Sequence, residues 1–368
     1  MVTLKTAFEN SSLDFLKIFE SIKPDILIYD FNQPWEADIA LSNNVPAVQF
    51  DMTSAFFASF LRYMLSSDPA KNFPFPIPHH KYVTEKMNAI REPSPDDAKD
   101  IYRVKEAGKR TYKVILRRTF REMEGKYIDY ISVLSQKKSI PVGLLVPEEL
   151  EDTDESTETI QFLDKKDESS VVFVSFGSEY FLSKEEIQEI ASGLELSNLN
   201  FIWVVRFPFG ENMKLEEALP LGFLDKVGDK GLVMEGWAPQ AKILSHSSTG
   251  GFVSHCGWGS IMESMMFGVP VIAMPMHLDQ PFNAKVMKEV GVGQEVETDE
   301  NGRFKREEIA KVIRNVVVEE SGETIRRKAK EMSEKIRENG KKEIDEVVEE
   351  LVKLCKEKKE EITSSKMF

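Results

Sequence analysis

Short, continuous apolar segments alternate with helical patterns over the second half of the chain. The segments Val171–Phe176, Phe201–Val205 and Val271–Met274 each have the length of a buried strand. Between the first two, Ser183 and Glu186 have the spacing of a capping box, and an amphipathic helical pattern follows. Strands that alternate with helices in this way predict a parallel α/β sheet.

The first half of the chain shows a less regular form of the same alternation. Residues 11–22 have helical spacing, and Asp25–Asp30 is an apolar run closed by a carboxylate, as at the end of a buried parallel strand. Further strand candidates are Ala47–Phe50, Val114–Leu116 and Pro141–Leu145. The proline-rich stretch 66–95 is predicted to be a loop region.

An acidic segment separates the two halves. Residues 148–160 lack apolar periodicity, so they are predicted to be a solvated linker. The predicted organisation is a domain over 1–147, this linker, a second domain over 161–342 and a C-terminal helix over 343–368 that packs back across the domains. The helical pattern itself runs over 323–362, and it has one apolar face, formed by Ile344, Val347, Val348, Leu351, Val352 and Cys355.

Composition excludes several classes of protein. The 368 residues suggest two domains, and 48 basic against 62 acidic residues give a net charge of −14. A chain this acidic has no general attraction for nucleic acid or anionic lipid. No apolar run approaches the ~18–20 residues of a membrane span, no secretory signal is evident, and two cysteines cannot build a disulfide framework. We expect a reduced, cytoplasmic, monomeric protein.

The segment Trp237–Gln280 contains a glycine-rich turn between a strand and a helix. Gly257 and Gly259 lie in this turn, and the following helix is predicted to begin near Ser260. Such a turn lets backbone N–H groups approach an anion, and the helix N-terminus adds about half a positive charge. With His255 and Ser260 as side-chain donors, the pattern predicts a phosphate site that needs no Walker lysine and no metal.

Other residues of the segment suit the remaining parts of a nucleotide sugar. Trp237 lies on a loop after a strand, where an exposed indole can stack on a nucleobase. Glu263, placed in the first turn of the helix, can accept hydrogen bonds from ribose hydroxyls. Asp279 and Gln280 follow a strand, at the edge where open α/β sheets bind ligands, and can bind sugar hydroxyls.

This 44-residue segment resembles the signature box of the plant family 1 UDP-glycosyltransferases. The resemblance rests on Trp-Ala-Pro-Gln from Trp237, His-Cys-Gly-Trp from His255, Gly-Val-Pro from Gly268 and the closing Asp279-Gln280, and it extends over nearly the whole chain. It implies a GT-B fold, in which two Rossmann-like domains face each other across a substrate cleft. The N-terminal domain would bind the acceptor and the C-terminal domain the UDP-sugar.

The resemblance also implies a role for each matching residue. Trp237 would stack on uracil, the Ala238 backbone would bind its edge, and Gln240 and Glu263 would hold the ribose. The diphosphate would be bound by Ser178, His255, Gly257 and Ser260, and the donor sugar by Trp258, Asp279 and Gln280. The closing glutamine is similar to glucose-using members and favours UDP-glucose as co-substrate, with no metal.

Gly259 departs from the family pattern, since most members have asparagine there. The change removes a side-chain donor near the phosphates, which a backbone N–H or a water can replace. Together with the Pro-Met-His-Leu-Asp-Gln ending, Gly259 resembles the subgroup that extends sugars already attached to plant metabolites.

The catalytic base expected from the resemblance is missing. In the family a histidine near the start of the N-terminal domain deprotonates the acceptor hydroxyl, and an aspartate, matched here by Asp30, orients it. The sequence has five histidines, and none precedes Asp30. We therefore expect a chain truncated at its N-terminus, with an incomplete N-terminal domain. A general base contributes ~10²–10⁴-fold in rate, so such a chain would bind UDP-sugar but transfer it poorly.

Three hypotheses for the function remain open at this stage. The leading one is an inverting O-glycosyltransferase that moves a sugar to a hydroxyl of a flavonoid- or terpenoid-type molecule or its glycoside. The second is a non-catalytic nucleotide-sugar-binding protein, and the third an enzyme that hydrolyses or epimerises the UDP-sugar.

Several residues have a structural interpretation beside a functional one. Asp152-Thr153-Asp154 matches a metal motif of other glycosyltransferases but lies in the acidic linker. Cys256 is interpreted as a packed residue, and His277 is either structural or in contact with the acceptor. Phe56, Phe57, Phe60 and Tyr63 are either core residues or the lining of an apolar acceptor pocket.

Overall fold

A computed structural model describes residues 7–66, 72–145, 157–208, 210 and 213–365. The chain divides into two compact units, each with its own parallel sheet. The small-sheet unit comprises Met1–Ile77, Thr84–Leu145 and Asn339–Phe368, and the large-sheet unit comprises Pro78–Val83 and Val146–Glu338. The predicted α/β class is confirmed.

The small-sheet unit has four parallel strands in the order β1-β2-β3-β4. Its elements are α1 Ser12–Ile22, β1 Leu27–Tyr29, α2 Pro34–Ser42, β2 Ala47–Asp51, α3 Ala55–Met64, α4 Lys81–Arg91, α5 Pro95–Arg110, β3 Val114–Arg117, α6 Arg121–Ser135 and β4 Lys138–Pro141. The first three residues of α4 belong to the large-sheet unit. Strands that are consecutive in the chain are neighbours in the sheet, so each connection between them is a crossover.

The two faces of this sheet differ in polarity. One face, which includes Val48 and Leu116, packs against Val347 and Leu354 of the C-terminal helix. The other face includes buried polar side chains. Among them, Arg117 forms an ion pair with Asp51 and donates through Nε to Ser139 Oγ at 3.1 Å.

The large-sheet unit has six parallel strands in the order β10-β9-β8-β5-β6-β7. Its elements are α7 Thr157–Leu163, β5 Val171–Ser175, α8 Lys184–Ser197, β6 Asn200–Val205, α9 Leu215–Ala218, α10 Phe223–Val227, β7 Gly231–Glu235, α11 Gln240–Ser245, β8 Thr249–Ser254, α12 Trp258–Phe267, β9 Val271–Ala273, α13 Gln280–Val290, β10 Gly293–Glu295, α14 Arg306–Val317 and α15 Glu323–Ser365, whose last part belongs to the small-sheet unit. The order of the strands reverses between β5 and β8, and such a switch point is where open α/β sheets bind ligands.

Most predicted strands are found within a residue or two of the expected bounds, and the capping box is confirmed. Ser183 accepts from the Glu186 N–H at 3.3 Å, and the Glu186 carboxylate accepts from the Ser183 N–H at 2.7 Å. None of the described helices is both long and apolar enough to cross a membrane.

Two predictions for the first half are wrong in part. The strand predicted at Pro141–Leu145 lies earlier, at Lys138–Pro141, and ends at the proline. The stretch 66–95 is not a loop throughout, because it contains α4, where Val83 is buried. Its prolines lie on either side of this helix, up to Pro78 before it and at Pro93 and Pro95 after it, and residues 67–71 lie outside the described residues.

The predicted linker needs correction, whereas the predicted C-terminal helical stretch is confirmed. Residues 148–156, including Asp152-Thr153-Asp154, lie outside the described residues, but 157–160 begin helix α7, where Ile160 and Leu163 pack into the core. The last helix runs over Glu323–Ser365, as the helical pattern over 323–362 predicts, and it passes without a break through 343, the predicted start of the packing segment. Of its predicted apolar face, Val347 and Leu351 pack on the small sheet, whereas Ile344, Val348 and Val352 are exposed.

Glu124 is a fully buried carboxylate that caps helix α3. It accepts from the backbone N–H groups of Ala55 and Phe56 at 2.8 and 3.0 Å and from Thr119 Oγ1 at 2.8 Å. Burial raises the pKa of Glu124 to about 7, and the three hydrogen bonds oppose this shift. Since α3 starts directly after β2, this carboxylate fixes the helix on the polar face of the small sheet.

We expect Glu124→Gln to lower the stability of the protein at pH 8. The amide nitrogen would place a donor against groups that donate, at a cost of about 1–3 kcal/mol for buried groups left unsatisfied. The measurement is thermal or urea unfolding, with Glu92→Gln at an exposed position as the control. A Glu124→Gln protein as stable as the wild type would mean that the burial of charge outweighs these hydrogen bonds.

Candidate functional site

A cavity of 440 Å³ lies at the carboxyl ends of strands β5, β6 and β7 in the large-sheet unit. The predicted site residues that line it are Ser178, Trp237, Ala238, Gln240, Ser260 and Glu263. They come from two loops and from helices α11 and α12, so the sheet brings together residues far apart in the sequence. His255, Gly257, Trp258, Gly259, Asp279 and Gln280 belong to the same unit but are not part of this lining.

Trp237 is exposed at the edge of the cavity. It lies in the loop after β7, and 58% of its surface is accessible, which is unusual for a tryptophan. Pro239 follows and precedes helix α11, which begins at Gln240. The indole is therefore available for stacking on a planar ring, and its stacking on a base stays a prediction.

Gln240 and Glu263 are hydrogen-bonded to each other inside the cavity. The Gln240 Nε2 donates to Glu263 Oε2 at 2.9 Å and to Ser260 Oγ at 3.2 Å. Helix α12 begins at Trp258 rather than near Ser260, so Glu263 lies in the second turn and not in the first. The pair presents a carboxylate and an amide together, which suits the binding of vicinal hydroxyls.

The ring of His255 is enclosed by two glycines. A Cβ atom at Gly177 would lie 2.7 Å from Cε1 and Nε2 of His255, and one at Gly257 would lie 2.7 Å from Nε2. Gly177 also has a φ of +72°, which favours glycine. Both positions therefore exclude any side chain, and the imidazole is held between the turn after β5 and the turn after β8.

His255 is neutral at physiological pH. Burial, helped by the nearby His277, lowers the pKa of the imidazole to about 4. Its Nδ1 is buried and has no hydrogen-bond partner among the described residues. A neutral imidazole offers one N–H donor to a ligand rather than a positive charge.

The sugar-binding pair predicted at Asp279 and Gln280 is held by neighbouring groups. Gln280 is only 3% exposed, and its Oε1 accepts the backbone N–H groups of Met276 and His277, both at 2.9 Å. Asp279 Oδ2 accepts from Asn283 Nδ2 at 2.9 Å. A sugar hydroxyl at Gln280 would therefore have to use the amide nitrogen, because the oxygen is occupied.

Asn283 connects these residues to the glycine-rich turn. Its Nδ2 also donates to the carbonyl of Cys256 at 2.9 Å, and the side chain is fully buried. Cys256 has a φ of +66°, a conformation that non-glycine residues rarely adopt, so this hydrogen bond helps to hold a strained turn. The predicted packing of Cys256 is confirmed, since the residue is buried.

Trp258 differs from Trp237 in its exposure. Its indole is 4% exposed, so a sugar near this residue would meet the backbone N–H at the start of α12 rather than an open aromatic face. Gly259 follows in the same first turn. This ten-residue helix directs its N-terminal N–H groups and dipole at the glycine-rich turn.

Asp30, the predicted catalytic carboxylate, belongs to the small-sheet unit. It follows β1, and its Oδ1 accepts from the Asn32 backbone N–H at 2.9 Å and from Asn32 Nδ2 at 2.6 Å. Burial, with a contribution from Asp30, raises the pKa of Glu36 to about 7. All five histidines of the sequence lie in the large-sheet unit.

The sequence analysis missed several residues of the site. Arg206 and Lys242 line the cavity as cations, and Gly177 and Asn283 hold its turns. Arg206 follows directly on the carboxyl end of β6, which is the signal that could have identified it.

Of the aromatic residues that could be core or acceptor-pocket lining, Phe56 and Phe60 are buried in the core. Among the described residues, no cluster of histidine, cysteine or acidic side chains could hold a metal ion.

Comparison with known proteins gives the family. Residues 149–333 match the family model described as UDP-glucoronosyl and UDP-glucosyl transferase. UDP-glucosyltransferase 29 of Panax ginseng is 53% identical over 98% of this chain and 80% of its own length. A β-D-glucosyl crocetin β-1,6-glucosyltransferase of Gardenia jasminoides is 45% identical over 97% of this chain and 81% of its own length. The chain belongs to the plant UDP-glycosyltransferases.

A solved structure agrees with this assignment. A Phytolacca americana glycosyltransferase in complex with UDP-2-fluoro-glucose and pterostilbene superposes with a TM-score of 0.81 and 27% identity, covering 95% of this chain and 82% of that one. The GT-B fold expected from the signature box is therefore confirmed.

We expect Gly177→Ala to weaken UDP binding by tenfold or more. The added methyl would displace the His255 ring from between the two turns. Gly222→Ala is the matched control, since Gly222 has a similar φ of +71° but no atom within 4 Å of the added Cβ. Calorimetric titration with UDP measures the difference, and equal affinity of the two variants would contradict the role given to His255.

We expect Asn283→Ala to destabilise the protein by about 1–3 kcal/mol, because it leaves the buried Cys256 carbonyl without this donor. It should also weaken the binding of UDP-glucose more than that of UDP, since Asp279 loses the hydrogen bond from Asn283 Nδ2. Unfolding and paired titrations measure both effects, with Asn301→Ala in an exposed turn as the control. Unchanged stability would contradict the structural role of Asn283.

Proposed function

We propose that this chain transfers glucose from UDP-glucose to a hydroxyl of a plant small molecule or of its glycoside, with inversion at the anomeric carbon. The observation that supports this most is the composition of the large-sheet cavity. An exposed indole, a bonded glutamine–glutamate pair and Ser260 of helix α12 line this cavity, and Gly177 of the same lining lies against the ring of His255. These groups suit the base, the ribose and the diphosphate of one nucleotide.

Each part of the donor has a group suited to it. Uracil would stack on Trp237, and the ribose hydroxyls would bind Gln240 and Glu263. The diphosphate would lie against the start of α12, with His255 as an N–H donor and Ser178 and Ser260 as hydroxyl donors. Arg206, which lines the same cavity, would add a positive charge.

The reaction is a single displacement. The acceptor oxygen attacks the anomeric carbon as the bond from that carbon to the β-phosphate oxygen breaks, and UDP leaves with the electron pair. Negative charge then develops on the phosphate, where the helix N-terminus and fixed N–H donors stabilise it without reorganisation. The acceptor proton passes to water, since the sequence has no histidine before Asp30 to receive it, and Asp30 is the proposed catalytic carboxylate.

Two considerations support glucose as the sugar and a glycoside as the acceptor. The sequence ends its signature box with Gln280, as glucose-using members do, and Gly259 resembles the glycoside-extending subgroup. The Gardenia jasminoides relative is named for transfer of glucose to a glucosyl crocetin, which is itself a glycoside.

A second candidate function is nucleotide-sugar binding without transfer. It is favoured by the hydrogen bonds that join Asp30 to Asn32 and by the location of all histidines in the large-sheet unit. Incubation with UDP-glucose and a flavonoid or terpenoid glucoside, followed by mass analysis, distinguishes the two. A hexosylated product supports the transferase, and binding without product supports the second candidate. Free glucose formed without acceptor would instead favour hydrolysis.

We expect Trp237→Ala to weaken the binding of UDP and UDP-glucose by about tenfold or more, since stacking of a base on an aromatic ring is worth about 1–3 kcal/mol. Tyr102→Ala removes another exposed aromatic side chain and serves as the control. Calorimetric titration gives both affinities. Full affinity in the Trp237→Ala protein, or no binding by the wild type, would overturn the proposed site.

A further inference from the structure

The small-sheet unit contains a second cavity, separate from the one assigned to the sugar donor. It has a volume of 120 Å³ and lies between the polar face of the sheet and helices α3, α5 and α6. Its walls are mainly apolar, with Phe31, Phe57, Leu61, Leu65, Val104 and Ile115 among them. In size it is close to the cavity of ~150 Å³ that suffices for benzene in another protein.

Two polar side chains converge on this cavity. The Nη1 of Arg62 and the Oε1 of Gln49 lie 3.7 and 3.8 Å from the position of a Cβ at Gly108, so both approach the same gap in helix α5. Arg62 is half-buried, and within the described part of the chain it makes no hydrogen bond or ion pair. Burial lowers the pKa of its guanidinium.

The other charged side chains that line or border this cavity do not neutralise the charge of Arg62. Asp51 lines the cavity but is already paired with Arg117. Lys137 is close enough for Arg62 to lower its pKa, after the larger effect of burial, and its ammonium donates to the Thr111 carbonyl at 2.7 Å. The cavity therefore has an excess of positive charge beside apolar walls.

We propose that this cavity binds a small monocarboxylate with a compact apolar body. The carboxylate would accept from the Arg62 guanidinium and from the Gln49 amide, and the hydrocarbon part would lie against Phe57 and Ile115. A neutral ligand would leave Arg62 unpaired, and a phosphate would leave the apolar walls without contact. Benzoate satisfies the charge, and because Arg62 is only half-buried, the benzoate carboxylate would lie at the mouth of the cavity and the ring alone would have to enter.

The test uses benzoate as the probe and benzamide as its neutral analogue. The wild-type chain should bind benzoate saturably, at least tenfold more tightly than benzamide, and benzoate should raise its melting temperature. Arg62→Gln should abolish this preference while melting at the same or a higher temperature without ligand, because it removes an unpaired, half-buried charge. Arg91→Gln, at an exposed position, is the matched control.

A second variant keeps the charge and fills the space. Gly108→Val would place its side chain between Arg62 and Gln49 and should also abolish benzoate binding. The proposal is overturned if the wild type does not bind benzoate at millimolar concentration, if benzamide binds equally well, or if UDP displaces benzoate. Binding that survives in both variants would likewise overturn it.

Discussion

The enclosure of one imidazole between two glycine backbones is the constraint on which the large-sheet site depends. His255 follows β8 and Gly177 follows β5, the two strands at which the order of the sheet reverses. Because neither Gly177 nor Gly257 can carry a side chain there, the turns approach closely enough to bury the ring. Burial keeps the ring neutral, and the same approach brings Ser178 near the start of helix α12. The close approach of the two turns therefore determines both the position of the His255 ring and its neutral state.

The small-sheet unit is organised around buried polar groups rather than around a uniform apolar core. Glu124 fixes the start of α3 through three hydrogen bonds, and Arg117 is paired with Asp51. Arg62, two turns further along α3, has no comparable partner among the described residues. Glu124 and Arg117 are thus satisfied by hydrogen bonds or an ion pair, whereas no described residue satisfies Arg62 in this way. This difference is the reason for proposing a ligand at Arg62.

Much of the fold and part of the site could be predicted from the sequence, because both depend on local patterns. Buried strands such as Val171–Ser175 appear as apolar runs, and the glycine-rich turn is contiguous from His255 to Ser260. The roles of Gly177 and Asn283 could not be predicted, since each acts on a turn that only the folded sheet brings near. The strand ending at Pro141 was misplaced because its first residues are polar.

The four tryptophans of the chain occupy very different surroundings. Trp203 and Trp258 are buried in the large-sheet unit and Trp35 is half-buried in the other, whereas Trp237 faces water at the rim of the cavity. Indole emission shifts to longer wavelength in water, so the red edge of the intrinsic fluorescence originates mainly from one side chain. The protein thus carries its own optical reporter at the place where a nucleobase would arrive.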